Sequence, residues 1–268
     1  MVNQAGNQYG PGEEQETVAA KRAFVTGTSH GLGARLATRL AEDGWQVTGL
    51  GRRPRSETAL PPEVRYLQAD LSDPKALDEL PALIGETPDL IVHNAVSYPP
   101  RDVSALTLDE LEGIFRVNSL VPYRLTLDLL AAKPPERFCS VVVVNSESIY
   151  HADFASGVYA ASKAALRVLT TSLADHCRSR NAAVATLLLG PLADPGKVAD
   201  LRAVAERRGV TEAEITRLFL RKSNPDLVIE QLIDFDACVR SVRYIADLGT
   251  TANGMMCKLD GGSSGSLV

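Results

Sequence analysis

The strongest constraint on this chain is a rhythm. Short apolar, β-branched runs alternate with longer stretches of helical period along nearly all of its 268 residues. Seven runs read as strands, at 23–26, 46–50, 65–68, 90–93, 140–144, 184–189 and 255–259. Helical periodicity falls near 32–43, 74–84, 107–131, 157–179 and 235–247. A continuous apolar run such as VVVV at 141–144 belongs to a strand buried on both faces. Alternation with helices makes the sheet mostly parallel, and helices on both faces make it doubly wound. The expected class is α/β, with the ligand crevice at the carboxyl ends of the strands.

The rhythm is broken twice. Residues 1–20 are rich in Gly, Gln and Glu, have little to bury, and read as a disordered tail. The remainder, 21–268, reads as one domain. Within it, 190–225 shows no strand signal but two short helical patterns, 196–208 and 211–222. An insertion of that length beside a strand end suggests a substrate lid over about 191–225. Thr211 and Glu214 have the spacing of a capping box.

Charge and composition exclude some classes. A net charge of −5 argues against non-specific nucleic-acid binding. No apolar run approaches the ~20 residues that span a bilayer, and the N-terminus does not read as a signal peptide. The four cysteines and four histidines show no metal-ligand spacing. The expectation is a soluble, cytoplasmic protein without a metal site.

The first strand runs directly into TGTSHGLG, residues 26–33. Glycine permits φ > 0 and lets a pyrophosphate approach without a Cβ in the way. The helix that follows presents unpaired N–H groups and a positive dipole end. Gly27, Thr28, Ser29, His30, Gly31, Leu32 and Gly33 are therefore candidate cofactor-binding residues. NAD binders place an acidic residue about 20 positions further on, against the ribose. Here the second strand ends in Gly51, and Arg52 and Arg53 follow at once. With no carboxylate to repel a 2′-phosphate and arginine placed to grip it, NADP(H) is the expected cofactor. His30 is at most a helper of Arg52 in that contact.

The chemistry lies further on, in VVVVNSESIYHADFASGVYAASKAALRVL. Tyr159 and Lys163 are four apart and share a helix face. An ammonium beside a phenol is expected to pull its pKa down from ~10, making Tyr159 a general acid toward a carbonyl oxygen. Ser146, at the end of the apolar strand, can hold the same oxygen.

With these pieces in this order, the chain resembles the short-chain dehydrogenase/reductase family over residues 22–262. The matching motifs are residues 26–33, Asp70-Leu71, Asn94-Ala95, Asn118, Ser146, Tyr159-Ala-Ala-Ser-Lys163, and Asn253-Gly254 with Asp260-Gly-Gly262. The resemblance implies a single Rossmann-like domain with a seven-stranded parallel sheet, assembled as a homo-oligomer, tetramer or dimer. It implies that Tyr159 donates the proton and that Lys163 binds the nicotinamide ribose and tunes Tyr159. Ser146 would orient the carbonyl, and Asn118 would hold a water in the proton relay. Asp70 and Leu71 would contact adenine, and Asn94 and Ala95 would line the cleft. Gly190 and Leu192 would meet the nicotinamide. Three positions depart from the family pattern. Valine stands at 96, Leu189-Gly190 replaces Pro-Gly, and Asp194 occupies the place of a threonine that binds the carboxamide.

Ser148, His151 and Asp153 fall where the family places substrate-facing residues. The lid carries an excess of basic residues, Arg217 and Arg221 among them. They fit either an acidic substrate or, as charge runs usually do, a solvated helix face. The leading expectation is an NADPH-dependent ketone or aldehyde reductase. The same machinery run backward is an NADP-dependent alcohol dehydrogenase, and a non-catalytic NADP(H) sensor would typically have lost Tyr159 or Lys163. The unusual lid suggests a tailoring step in secondary metabolism.

Overall fold

The computed structural model describes residues 20–263. Apart from Ala20, the tail expected over 1–20 lies outside the described residues. The sheet has seven parallel strands in the order β3-β2-β1-β4-β5-β6-β7. They are β1 (Arg22–Thr26), β2 (Gln46–Gly51), β3 (Arg65–Gln68), β4 (Leu90–His93), β5 (Cys139–Ser146), β6 (Ala182–Leu189) and β7 (Met256–Leu259). This is the doubly wound, Rossmann-like α/β fold.

Period-2 alternation sends successive strand residues to two cores. Ala23, Val25, Val142 and Val144 pack on one face, against α1 (Gly31–Glu42) and α8 (Phe235–Asp247). Phe24, Ile91, Val141 and Val143 pack on the other, against α2 (Pro74–Ile84), α4 (Val121–Ala131) and α5 (Gly157–Arg178). Helix α1 shows why: Leu32, Leu36 and Leu40 form a buried stripe at four-residue spacing.

One element differs from expectation. The helix read as continuous over 107–131 is α3 (Leu108–Phe115), a π-helical turn at Arg116–Leu120, and then α4. Pro122 has no N–H, so it cannot supply the bond that the Asn118 carbonyl would take four residues earlier in an α-helix. The ladder changes register there.

The segment after β6 forms α6 (Pro195–Arg208) and α7 (Glu212–Ser223), with its own small cluster of Leu201, Ala205 and Ile215. The Thr211–Glu214 capping box is present. Leu192 pairs with Ile233 in an isolated parallel bridge.

Candidate active site

The strand order reverses between β1 and β4, and there the carboxyl edge of the sheet opens into a crevice. The glycine-rich turn meets the end of β4 at that point. A Cβ on Gly27 would stand 2.8 Å from the Cα of Ala95, and one on Gly33 would stand 2.2 Å from the Gly27 oxygen. The Asn94 amide donates to the oxygens of Thr26 (3.0 Å) and Gly27 (3.4 Å). The backbone N–H groups of Asn94 and Ala95 donate to the Thr26 hydroxyl. Asn94 thus fastens the turn that it was expected to line.

The turn divides its duties. The N–H groups of Gly27 and Thr28 donate to the Leu50 oxygen at 2.7 and 2.9 Å, and Thr28 is fully buried. Through these N–H groups the two residues tie the turn to β2. Helix α1 then begins at Gly31, where φ is +61°. His30 makes no side-chain cap and the first turn holds no acid. An anion at this N-terminus would meet N–H groups and a favourable dipole, so the turn fits a pyrophosphate.

At the end of β2, Arg52 and Arg53 are exposed and form no ion pair among the described residues. Their backbone carbonyls are held instead, Arg52 by Gln68 Nε2 (3.2 Å) and Arg53 by the Tyr66 hydroxyl (2.7 Å). That hydroxyl also meets Ser29 Oγ at 3.1 Å. The backbone at the end of β2 is therefore held while both guanidinium groups lack an ion-pair partner among the described residues, an arrangement that a 2′-phosphate would fit. His30 is exposed and Leu71 is buried, while the Asp70 carboxylate accepts from the N–H and hydroxyl of Ser72.

Across the crevice, Ser146 ends β5 and Tyr159 lies in the first turn of α5. The Ser146 hydroxyl lies near enough to the Tyr159 hydroxyl to work on the phenol, pulling its pKa down. Tyr98 stacks on Tyr159 with ring centroids 4.9 Å apart, and each phenol shifts the other's pKa. Tyr98 is 66% exposed, yet its hydroxyl end is crowded enough for burial to raise its pKa.

Lys163 does not behave as the spacing suggested. It is buried, its Nζ donates to the Val144 oxygen at 3.0 Å, and burial pushes it down to about 8. The Tyr159 phenol is held well above its ordinary value, first by burial and next by Tyr98, while Ser146 pulls the other way. The expected lowering by Lys163 does not figure among the influences on the phenol, of which burial is the largest.

Asn118 sits in the π-helical turn and is fully buried. Its side chain is committed to structure: Oδ1 accepts from Ser97 N–H, and Nδ2 donates to the Ser97 oxygen and the Ser162 hydroxyl. What it can offer a water is its backbone carbonyl, released by Pro122.

The lid side holds groups that the sequence reading passed over. Glu147 is 9% exposed; its Oε2 meets His151 Nε2 and takes a long bond from Asn224 Nδ2 at 3.5 Å. Its charge adds to the upward pressure on Tyr159. Lys197, on α6, lies over the Phe219 ring at 5.3 Å and feels both Asp194 and Glu147. A carboxylate adjoining a strand-end serine was the available signal for Glu147; Tyr98 and Lys197 offered none. The Ser148 hydroxyl is buried with no partner. Asp153, by contrast, is exposed and spent on a turn with Ser156. Arg217 and Arg221 line a separate groove of about 490 Å³ with Arg208 and Glu230, and Arg217 faces Glu230 at 3.7 Å. At the nicotinamide end, a Cβ on Gly190 would stand 2.6 Å from the Asp260 oxygen.

The model of the short chain dehydrogenase family matches residues 21–202. The chain therefore belongs to the short-chain dehydrogenases, a family of oxidoreductases. It is 26% identical to the oxidoreductase YvaG of Bacillus subtilis over 252 residues, 90% of this chain and 95% of that one. A short-chain dehydrogenase of Burkholderia cenocepacia, solved in complex with NADP, superposes with a TM-score of 0.74 at 26% identity, covering 91% and 97% of the two chains. The L-sorbose reductase of Gluconobacter frateurii, solved with NADPH and L-sorbose, superposes at 0.79 with 16% identity over 92% and 98%. No helix among the described residues is long and apolar enough to cross a membrane.

Proposed function

We propose that the chain is an NADPH-dependent reductase of a ketone or aldehyde, with Tyr159 as proton donor. The observation that carries this reading is the hydroxyl pair Ser146–Tyr159 at the carboxyl edge of the sheet, with Lys163 buried one helical turn along. Exposed, unpaired Arg52 and Arg53 beside an uncapped turn support NADP(H), as does the NADP held by the Burkholderia relative.

Bound at the turn, NADPH would supply a hydride to the carbonyl carbon. The Tyr159 hydroxyl gives its proton to the carbonyl oxygen, and the Ser146 hydroxyl holds that oxygen in place. The raised pKa keeps the Tyr159 phenol protonated across the neutral range, the form that a donor needs, while making it a weaker acid than a free phenol. Lys163 spends one N–H on Val144 and keeps two for the ribose and the phenol. The Asn118 carbonyl, left without an α-helical partner by Pro122, supports its role in holding the relay water. The α6–α7 hairpin serves as the lid, with Glu147, Ser148 and His151 on the substrate side. Exposed Leu120 and Val168 support assembly as a dimer or tetramer.

The test is NADPH oxidation across a panel of ketones and aldehydes. Tyr159→Phe should lower kcat/KM by about 10³-fold on any substrate found. Turnover that survives this change overturns the mechanism, and a clear preference for NADH overturns the cofactor reading.

A further inference from the structure

Two helices start at the same edge of the crevice, and one side chain faces both. Asp194 caps α6, its Oδ1 accepting from Gly196 N–H at 3.0 Å. Its Oδ2 lies 3.6 Å from the point where a Cβ on Gly31 would stand, the one atom within 4 Å of that point apart from the turn's own neighbours and helix backbone. Gly31 opens α1, whose N-terminus has no capping side chain. One carboxylate therefore caps α6 while standing beside the positive end of α1. The charges around it are few. Lys197 on α6 feels it, as does the Tyr98 hydroxyl beside Tyr159.

We propose that Asp194 is an internal anion for the glycine-rich turn, filling the neighbourhood that a dinucleotide pyrophosphate claims and so setting the cofactor affinity of this chain. The inference rests on the NADP(H) reading above. Diphosphate and carboxylate are both anionic, so the incoming group meets repulsion where a neutral side chain would add a hydrogen bond. Asp194 is also the first residue of the lid hairpin. Any shift that relieves the repulsion moves the start of α6, which links cofactor binding to lid position.

The experiment is calorimetric titration of the full chain with NADPH and with NADP⁺, at low and high salt. Wild type is compared with Asp194→Asn and Asp194→Thr, both of which keep an oxygen able to cap α6. Both dinucleotides are expected to bind about ten-fold tighter to each variant at low salt, with a smaller gain at high salt. Equal or weaker binding by Asp194→Asn, with its melting temperature unchanged, overturns the proposal. A gain confined to one oxidation state also overturns it, because the carboxylate would then act on the nicotinamide ring and not on the diphosphate. Failure of wild type and variants alike to bind either dinucleotide removes the cofactor reading itself, and this inference with it.

Discussion

The turn after β1 and the turn after β6 leave the same edge of the sheet and each opens a helix, yet they are built differently. The first is made of backbone in contact with backbone: Gly27 against Ala95, and Gly33 against the Gly27 carbonyl. The second leads into a hairpin held by a three-residue apolar cluster and by side-chain caps at Asp194 and Thr211. Close backbone packing leaves no room for adjustment, so the first turn is coupled to the whole sheet. Side-chain caps and a small cluster hold the second only locally, which suits a segment that has to admit a ligand.

The largest effect should come from a methyl group placed in the first turn. In Gly33→Ala the new Cβ would fall 2.2 Å from the Gly27 oxygen, and backbone must move to relieve it. We expect a loss of about 3 kcal/mol. For a domain of this size that corresponds to roughly 10 °C in Tm. A shift within 2 °C or so, read by calorimetry, would show that the turn is as yielding as the lid.

An effect of similar size, confined to acid pH, is expected from His93, which ends β4 beside the same turn. The Thr126 hydroxyl donates to the Pro122 oxygen at 2.7 Å, so its contact with His93 Nε2 at 2.9 Å requires the imidazole to donate. Nδ1 is left as a buried acceptor without a partner. Protonating it would strand a charge, and burial lowers the pKa from 6.5 to about 3. The unfolded chain thus binds more protons between these values. Stability from this site is complete above pH 6.5 and drains as pH falls toward 3. Between pH 7 and pH 4, His93→Gln should remove about 3 kcal/mol of the acid-induced loss seen in urea titrations. An unchanged pH difference would mean that the tight side of the crevice carries no buried proton switch.

The same contrast governs what could be read from the sequence. The inner strands were legible because apolar runs buried on both faces have no other use, while the half-exposed β3 and β7 also lie near where they were read. Tyr159, Lys163 and Ser146 were legible as a constellation fixed by helix period and strand end. Their electrostatics were not. Spacing places Lys163 near the phenol, but only the fold shows its ammonium spent on Val144 and both groups dominated by burial. The break at Asn118 could have been taken from Pro122, four residues on, had the proline been weighed above the periodicity. Tyr98, Lys197 and the second face of Asp194 belong to long-range packing, for which local pattern carries no signal.

The smallest effect tests the lid. Thr211 caps α7 through Glu214 N–H at 3.2 Å, while Glu214 reaches back to Thr211 N–H at 2.8 Å. Removing the hydroxyl in Thr211→Ala should cost about 1 kcal/mol, because one N–H loses its acceptor at an exposed end. Where that cost appears matters more than its size. If the hairpin opens independently of the sheet, amide exchange should quicken across 195–223 while the strands keep their protection and Tm barely moves. Equal acceleration in β5 and β6 would mean that the hairpin and sheet open as one unit. The lid would then have no motion of its own through which Asp194 could link cofactor binding to access.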